Sequence, residues 1–170
     1  MNVRIETIAP IRVAFRRHVG PYDEVGATWD ALLPALGKEG FLAGGVRFIG
    51  LCHDDPGVTP PEKLRYDACV EVDEGFVPLG EEGVQIIGGG EYATTTHFGA
   101  YNRLGITYGR LFGEWLPRSG REPRTAPCFE VYLNSPDDTD PEDLLTDIYV
   151  PLEPAAGRRL TAGGFPTLPL

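Results

Sequence analysis

His18-Val19-Gly20-Pro21-Tyr22 and His97-Phe98-Gly99-Ala100-Tyr101 stand 79 residues apart, and the way they match decides how the whole chain is read. The register extends beyond the five residues. Gly26 falls on Gly105, Thr28 on Thr107, Trp29 on Tyr108 and Leu32 on Leu111, so six of the fifteen positions from His18 to Leu32 are identical. Composition alone would produce about one such identity. Two copies of one folding unit is the economical explanation.

Each copy has the same local grammar. A β-rich stretch, Ile11 to His18 or Glu91 to Phe98, runs into H-x-G-x-Y, where the glycine lets the chain turn, and an amphipathic helix follows. The first helix covers roughly Tyr22 to Leu36 and carries Val25, Trp29, Leu32 and Leu33, with Pro34 tolerated near its end. In the second, Leu104, Tyr108, Leu111, Phe112 and Trp115 recur at helical spacing, and Pro117 closes it ahead of Ser119-Gly120. Strand-like segments come next: Val46 to Cys52 and Tyr66 to Val72, then Cys128 to Asn134 and Asp147 to Leu152. Val84 to Ile87, before Gly88-Gly89-Gly90, is the last strand segment ahead of the seam between copies. The expected fold is α+β: an antiparallel sheet with both helices on one face and a groove on the other.

Composition sets the outer bounds. The 170 residues are 42% hydrophobic and 24% charged, one domain's worth of globular sequence. Fifteen Lys and Arg against 25 Asp and Glu leave a formal net charge of −10. The cations are spread along the chain, which argues against direct contact with nucleic acid or anionic lipid and favours cationic partners. No apolar run reaches the roughly 20 residues of a membrane span, and Arg4, Glu6 and Arg12 interrupt any signal-like start. Cys52, Cys69 and Cys128 are odd in number and lack C-x-x-C spacing, so reduced thiols in the cytoplasm are expected. No spacing suggests a metal or a cofactor. The acidic, proline-broken stretch from Ser135 to Asp143 is a solvated loop, not a calcium loop. The Gly/Pro-rich tail 154–170 could be anchored by Phe165, Leu168 and Leu170.

Strand alternation then nominates a site. In Cys128 to Asn134, Phe129, Val131 and Leu133 suit packing beneath the helices, leaving Cys128, Glu130 and Tyr132 on the other side. A glutamate in mid-strand among apolar residues is the sharpest anomaly in the sequence; at the floor of a groove it would attract a cation or act as a base. Ile148, Val150 and Leu152 suit the core, which turns Tyr149 toward Glu130. Asp67, Cys69 and Glu71 form the mid-strand polar set of the first copy, and either Phe48 or Arg47 faces the groove. Tyrosines beside a carboxylate make a cavity suited to flat or cationic molecules. No G-x-S-x-G elbow is present, and His18 and His97, being related by the repeat, are assigned to structure. Cys128 lacks a neighbouring histidine and is treated as a small apolar filler of the groove.

Pro127-Cys128-Phe129-Glu130-Val131-Tyr132-Leu133-Asn134-Ser135-Pro136, followed by Thr146-Asp147-Ile148-Tyr149-Val150-Pro151-Leu152, resembles the gyrase inhibitor–like (GyrI-like) small-molecule-binding family. Arg65-Tyr66-Asp67-Ala68-Cys69, H-x-G-x-Y and the Trp115-Leu116 helix end also match. The family includes stand-alone gyrase-inhibitory proteins and the effector-binding domains of multidrug-responsive activators. The resemblance implies a domain over 1–153, built of strand-helix-strand-strand repeats at about 2–80 and 81–153 related by a pseudo-twofold axis. It places the E-x-Y glutamate, here Glu130, at the floor of a ligand groove lined by Tyr132 and Tyr149, with Trp115 near the rim. The expected function is binding of hydrophobic cationic or aromatic molecules, by a monomer or weak dimer. A second reading is hydrolysis of reactive cyclopropane-bearing DNA-alkylating compounds with Glu130 taking part; a third, ranked last, is interaction with gyrase.

Overall fold

The computed structural model describes residues 1–38 and 40–155. Its strands are β1 (Arg4–Ile8), β2 (Ile11–Val19), β3 (Phe48–Cys52), β4 (Arg65–Glu71), β5 (Gly83–Ile87), β6 (Gly90–Phe98), β7 (Cys128–Tyr132) and β8 (Leu145–Pro151). The helices are α1 (Gly26–Lys38), α2 (Leu104–Arg110) and α3 (Leu116–Ser119), the last two joined by a π-helical turn, Leu111–Trp115. All strand pairs are antiparallel in one curled sheet of order β1-β6-β8-β7-β3-β4-β2-β5.

That order reads as a palindrome of the two copies. β2-α1-β3-β4 corresponds to β6-α2-β7-β8, and the copies meet at the β3–β7 seam, with β5 and β1 padding the outer edges. β1 is an element the sequence reading did not contain. Its burial is slight, and it is stabilised by the ladder to β6 more than by its side chains.

The H-x-G-x-Y turns share their backbone construction, and His97 adds a 2.7 Å bond between Nδ1 and the Thr107 hydroxyl. Gly20 (φ +142°) donates its amide to Leu64 O and Gly99 (φ +114°) to Leu144 O, both at 2.8 Å. His18 Nε2 donates to Pro21 O at 3.0 Å and His97 Nε2 to Ala100 O at 3.2 Å, closing each turn before its helix. The histidines therefore clamp turns. The loops after β3 and β7 also correspond: Asp54 accepts the Arg65 amide, and Asn134 accepts that of Leu145. Pro117 does not end the second helix but lies within α3, which stops at Gly120 in the left-handed conformation (φ +68°).

Both helices cover one face. Leu32 and Leu36 of α1 pack on Ala14, Ala68 and Val70; Leu111 and Trp115 pack on Ala93, Ile148 and Val150. The other face buries Ile11, Val13, Ile49, Leu51, Cys69, Tyr92, Phe129 and Val131, drawn from both copies. This corrects the expected assignment of faces. Phe129 and Val131 lie opposite the helices, and Glu130 lies on the helix side, where Gly50 is its cross-strand partner. Alternation sorts a strand into two sets, but a sheet that curls on itself buries both, so apolarity could not say which set the helices meet.

The tail anchors proposed at Phe165, Leu168 and Leu170 lie outside the described residues. Among the described residues no helix is long and apolar enough to cross a membrane.

Candidate functional site

Glu130 projects from the centre of β7 to the helix side of the sheet and is only 6% exposed. Alternation on β7 and β3 brings Cys128, Tyr132, Phe48, Gly50 and Cys52 to the same side, and β4 adds Tyr66. From above, Tyr108 of α2 donates its hydroxyl to Glu130 Oε1 at 3.0 Å. Tyr132 donates to Oε2 at 2.8 Å, and the Cys52 thiol points at Oε1 at 3.8 Å. The chain of contacts continues outward: Tyr66 and Tyr132 hydroxyls lie 2.8 Å apart, and Trp29 Nε1 of α1 donates to the Tyr66 hydroxyl at 3.0 Å. Trp29 and Tyr101 set their rings edge-on to Tyr132, with centroids 5.8 and 5.4 Å away.

Every partner of this carboxylate is a neutral donor. Among the described residues no Lys, Arg or His pairs with Glu130. Burial pushes its carboxyl above the ordinary carboxylate range, against the pull of bonds from Tyr132, Tyr108 and Cys52. The same environment raises its neighbours. Burial, then the Glu130 charge, lifts Tyr66, Tyr108, Tyr132 and Cys52 well above their usual values, and takes Cys128 up to about 12. The site thus holds a buried carboxyl ringed by tyrosines, whose ionised form has no cationic partner among the described residues.

Gly50 makes the arrangement possible. It is the repeat counterpart of Glu130, and the two are also register partners across the seam. A Cβ there would run into the Tyr132 hydroxyl and lie 2.5 Å from that of Tyr66. One copy supplies the carboxylate and the other vacates the space its tyrosines need.

Of the sequence-nominated residues, Glu130, Tyr132, Cys128 and Phe48 share this side of the sheet. Phe48 is the groove-side residue of its pair, packed with the α1 cluster, while Arg47 is exposed and bonded to Glu71. Tyr149 is a correction: it faces the other way, stacked on Phe129 with centroids 4.4 Å apart and planes within 8°. Asp67 is a second correction. It is fully buried on the face opposite Glu130, where Arg17 (2.8 and 3.0 Å), His53 (2.7 Å) and Gln85 (2.8 Å) saturate it. Burial raises its carboxyl, but those bonds outweigh burial and hold it below the ordinary range. Trp115 packs in the α2 cluster with Leu111 and Val150. Trp29, Tyr66, Tyr101, Tyr108 and Cys52 were missed as site residues. The repeat carried the signal, since Trp29 matches Tyr108 and Tyr22 matches Tyr101, and a pseudo-twofold axis returns matched positions to the cleft between the copies.

A family model described as the GyrI-like small molecule binding domain matches residues 1–153. The chain belongs to the GyrI-like family. A DNA gyrase inhibitor of Salmonella typhimurium is 32% identical over 90% of this chain and 99% of its own length. The probable transcriptional regulator YgiV of Escherichia coli K12 is 37% identical over 61% of the chain, and the match spans 66% of that regulator. Among solved structures, the C-terminal domain of EcmrR superposes with a TM-score of 0.71 at 21% identity, over 89% of this chain and 97% of that one. SAV2435 bound to tetraphenylphosphonium superposes with a TM-score of 0.61 at 17% identity, over 90% and 94%. These structures share the fold; the chemistry of the site rests on this chain's own residues.

Proposed function

We propose that this GyrI-like protein binds hydrophobic, aromatic organic cations in the cleft between α1 and α2, with Glu130 as the counter-charge. One observation carries the reading: a carboxylate 6% exposed whose partners are hydroxyl and thiol donors only. Holding an uncompensated charge there costs several kcal/mol, and a ligand cation removes that cost where a neutral molecule cannot. Tyr132, Tyr101, Tyr108 and Trp29 offer the ring faces and edges that a flat or cationic ligand contacts. The tetraphenylphosphonium complex of SAV2435, similar in fold, supports the ligand class.

Calorimetric titration with tetraphenylphosphonium and a neutral aromatic of similar size tests it. Glu130→Gln should weaken the cation by about 1–3 kcal/mol and spare the neutral compound. Equal losses for both would refute the counter-charge role.

The raised Glu130 carboxyl also favours a second reading, a hydrolase in which Glu130 takes a proton from water attacking an electrophilic ligand. A structure of similar fold from Listeria innocua is described as a hydrolase (TM-score 0.64, 12% identity). Ring-opened product from a cyclopropane-bearing substrate, lost in Glu130→Gln while binding survives, would select this reading.

A further inference from the structure

Cys52 and Cys128 face each other across the seam between the copies, as register partners of β3 and β7 on the Glu130 side of the sheet. His53 N donates toward β4 (Arg65 O, 3.1 Å) and Leu133 N toward β8 (Leu145 O, 3.0 Å). The even-numbered residues of both strands therefore direct their amides across the β3–β7 seam, so Cys52 and Cys128 form a hydrogen-bonded pair. Such pairs hold Cα atoms about 5.5 Å apart, with Cβ atoms toward the upper end of about 4.5–5.5 Å. Both cysteines are free and half-buried, while Cys69 is sealed on the opposite face.

We propose that Cys52 and Cys128 form a dithiol site for trivalent organoarsenicals and similar thiophilic electrophiles that bridge two sulfurs through one atom. A direct disulfide asks for Cβ atoms about 3.5–4.5 Å apart, closer than this pairing holds them. An inserted atom bonded to each sulfur at about 2.3 Å, as in a zinc–thiolate bond, leaves the sulfurs about 3.5 Å apart and suits the wider spacing. The protonation state agrees. Burial keeps both groups as neutral thiols, which disfavours thiolate-dependent disulfide exchange. With an arsenoxide, R–As=O, two As–S bonds form, the arsenic–oxygen bond breaks, and the oxygen leaves as water carrying both thiol protons. Arsenic stays trivalent, no oxidant is consumed and no charge is created in the hollow. The Cys52 thiol already points at Glu130 Oε1 (3.8 Å), which gives its proton a route. The bonds come from sulfur, so this goes beyond the cation reading and does not rest on it.

The test uses the full chain and phenylarsine oxide. One phenylarsenic group should be taken up per chain, leaving one of the three thiols titratable once the protein is denatured. Peptide mapping of the wild type should find the Cys52 and Cys128 peptides bridged. The adduct should survive excess glutathione and be released by dimercaptopropanol. Cys52→Ser and Cys128→Ser should each leave only a glutathione-labile adduct, and Cys69→Ala should retain the stable one. No uptake, a bridge that includes Cys69, or a wild-type adduct as labile as the single variants' would overturn the proposal. The wild-type map decides the matter even if a variant fails to fold. Tetraphenylphosphonium titration of the same samples reads the cation site separately.

Discussion

Glu130 is a carboxylate that folding makes harder to ionise, and its protonation should be visible in two ways. Cation binding stabilises the ionised form, so affinity for tetraphenylphosphonium should rise with pH from the ordinary glutamate range up to the raised carboxyl value, then level off. Glu130→Gln should abolish that dependence, read as a flat affinity–pH profile. The effect on stability has the opposite sense. A carboxyl raised by folding contributes stability that is fully present below its unfolded value and is lost as pH rises through its folded one. Thermal melts should therefore show Glu130→Gln gaining on the wild type as pH rises from the ordinary glutamate range through the raised carboxyl value. Gly50 acts by absence. Gly50→Ala should cost about 1–3 kcal/mol in a denaturant titration, because its Cβ displaces Tyr66 and Tyr132, which brace each other and Glu130.

Among the elements, β4 shows how one strand serves two faces. Tyr66 points to the cleft and helps hold Tyr132; Asp67, the next residue, points away and ties β2, β5 and the loop after β3 together through Arg17, Gln85 and His53. Its carboxyl is held low, so its contribution is present above the unfolded value and lost as acid protonates it. Asp67→Asn should destabilise by about 2–3 kcal/mol, moderated because Arg17 can rehydrate, and should flatten the acid limb of the stability–pH curve. Sequence alone read this aspartate as a site residue, because a buried structural acid and a functional one look alike until their partners are known. The π-helical turn between α2 and α3 was likewise invisible: hydrophobic spacing marked Leu111 and Trp115 as inward-facing but not the extra residue that the turn accommodates.

The two copies make one cooperative molecule. The core opposite the helices interleaves Ile11, Val13, Ile49 and Leu51 with Tyr92, Phe129 and Val131, so neither copy can bury its apolar set alone. Trp29 and Trp115, the two tryptophans, report one copy each. Trp29→Phe and Trp115→Phe variants should show fluorescence midpoints that coincide with their own circular dichroism midpoints. Two separated transitions in either variant would contradict a shared core.

The duplication, the antiparallel α+β class and the anomalous glutamate were legible in the order of residues, because repeats and alternation are properties of the chain itself. H-x-G-x-Y needed no partner to mark its turns, and Glu130 stood out by being charged where its neighbours are not. Which face met the helices was decided by the curl of the sheet, which buries both sides of β7 and sends Tyr149 away from Glu130. The company of Glu130 was decided there too. Tyr108 and Trp29 descend from helices distant in sequence, and Gly50 and Cys52 arrive from the other copy, because the pseudo-twofold seam runs between β3 and β7. Burial and hydrogen bonding depend on contacts between remote segments, and those exist only once the chain has closed on itself.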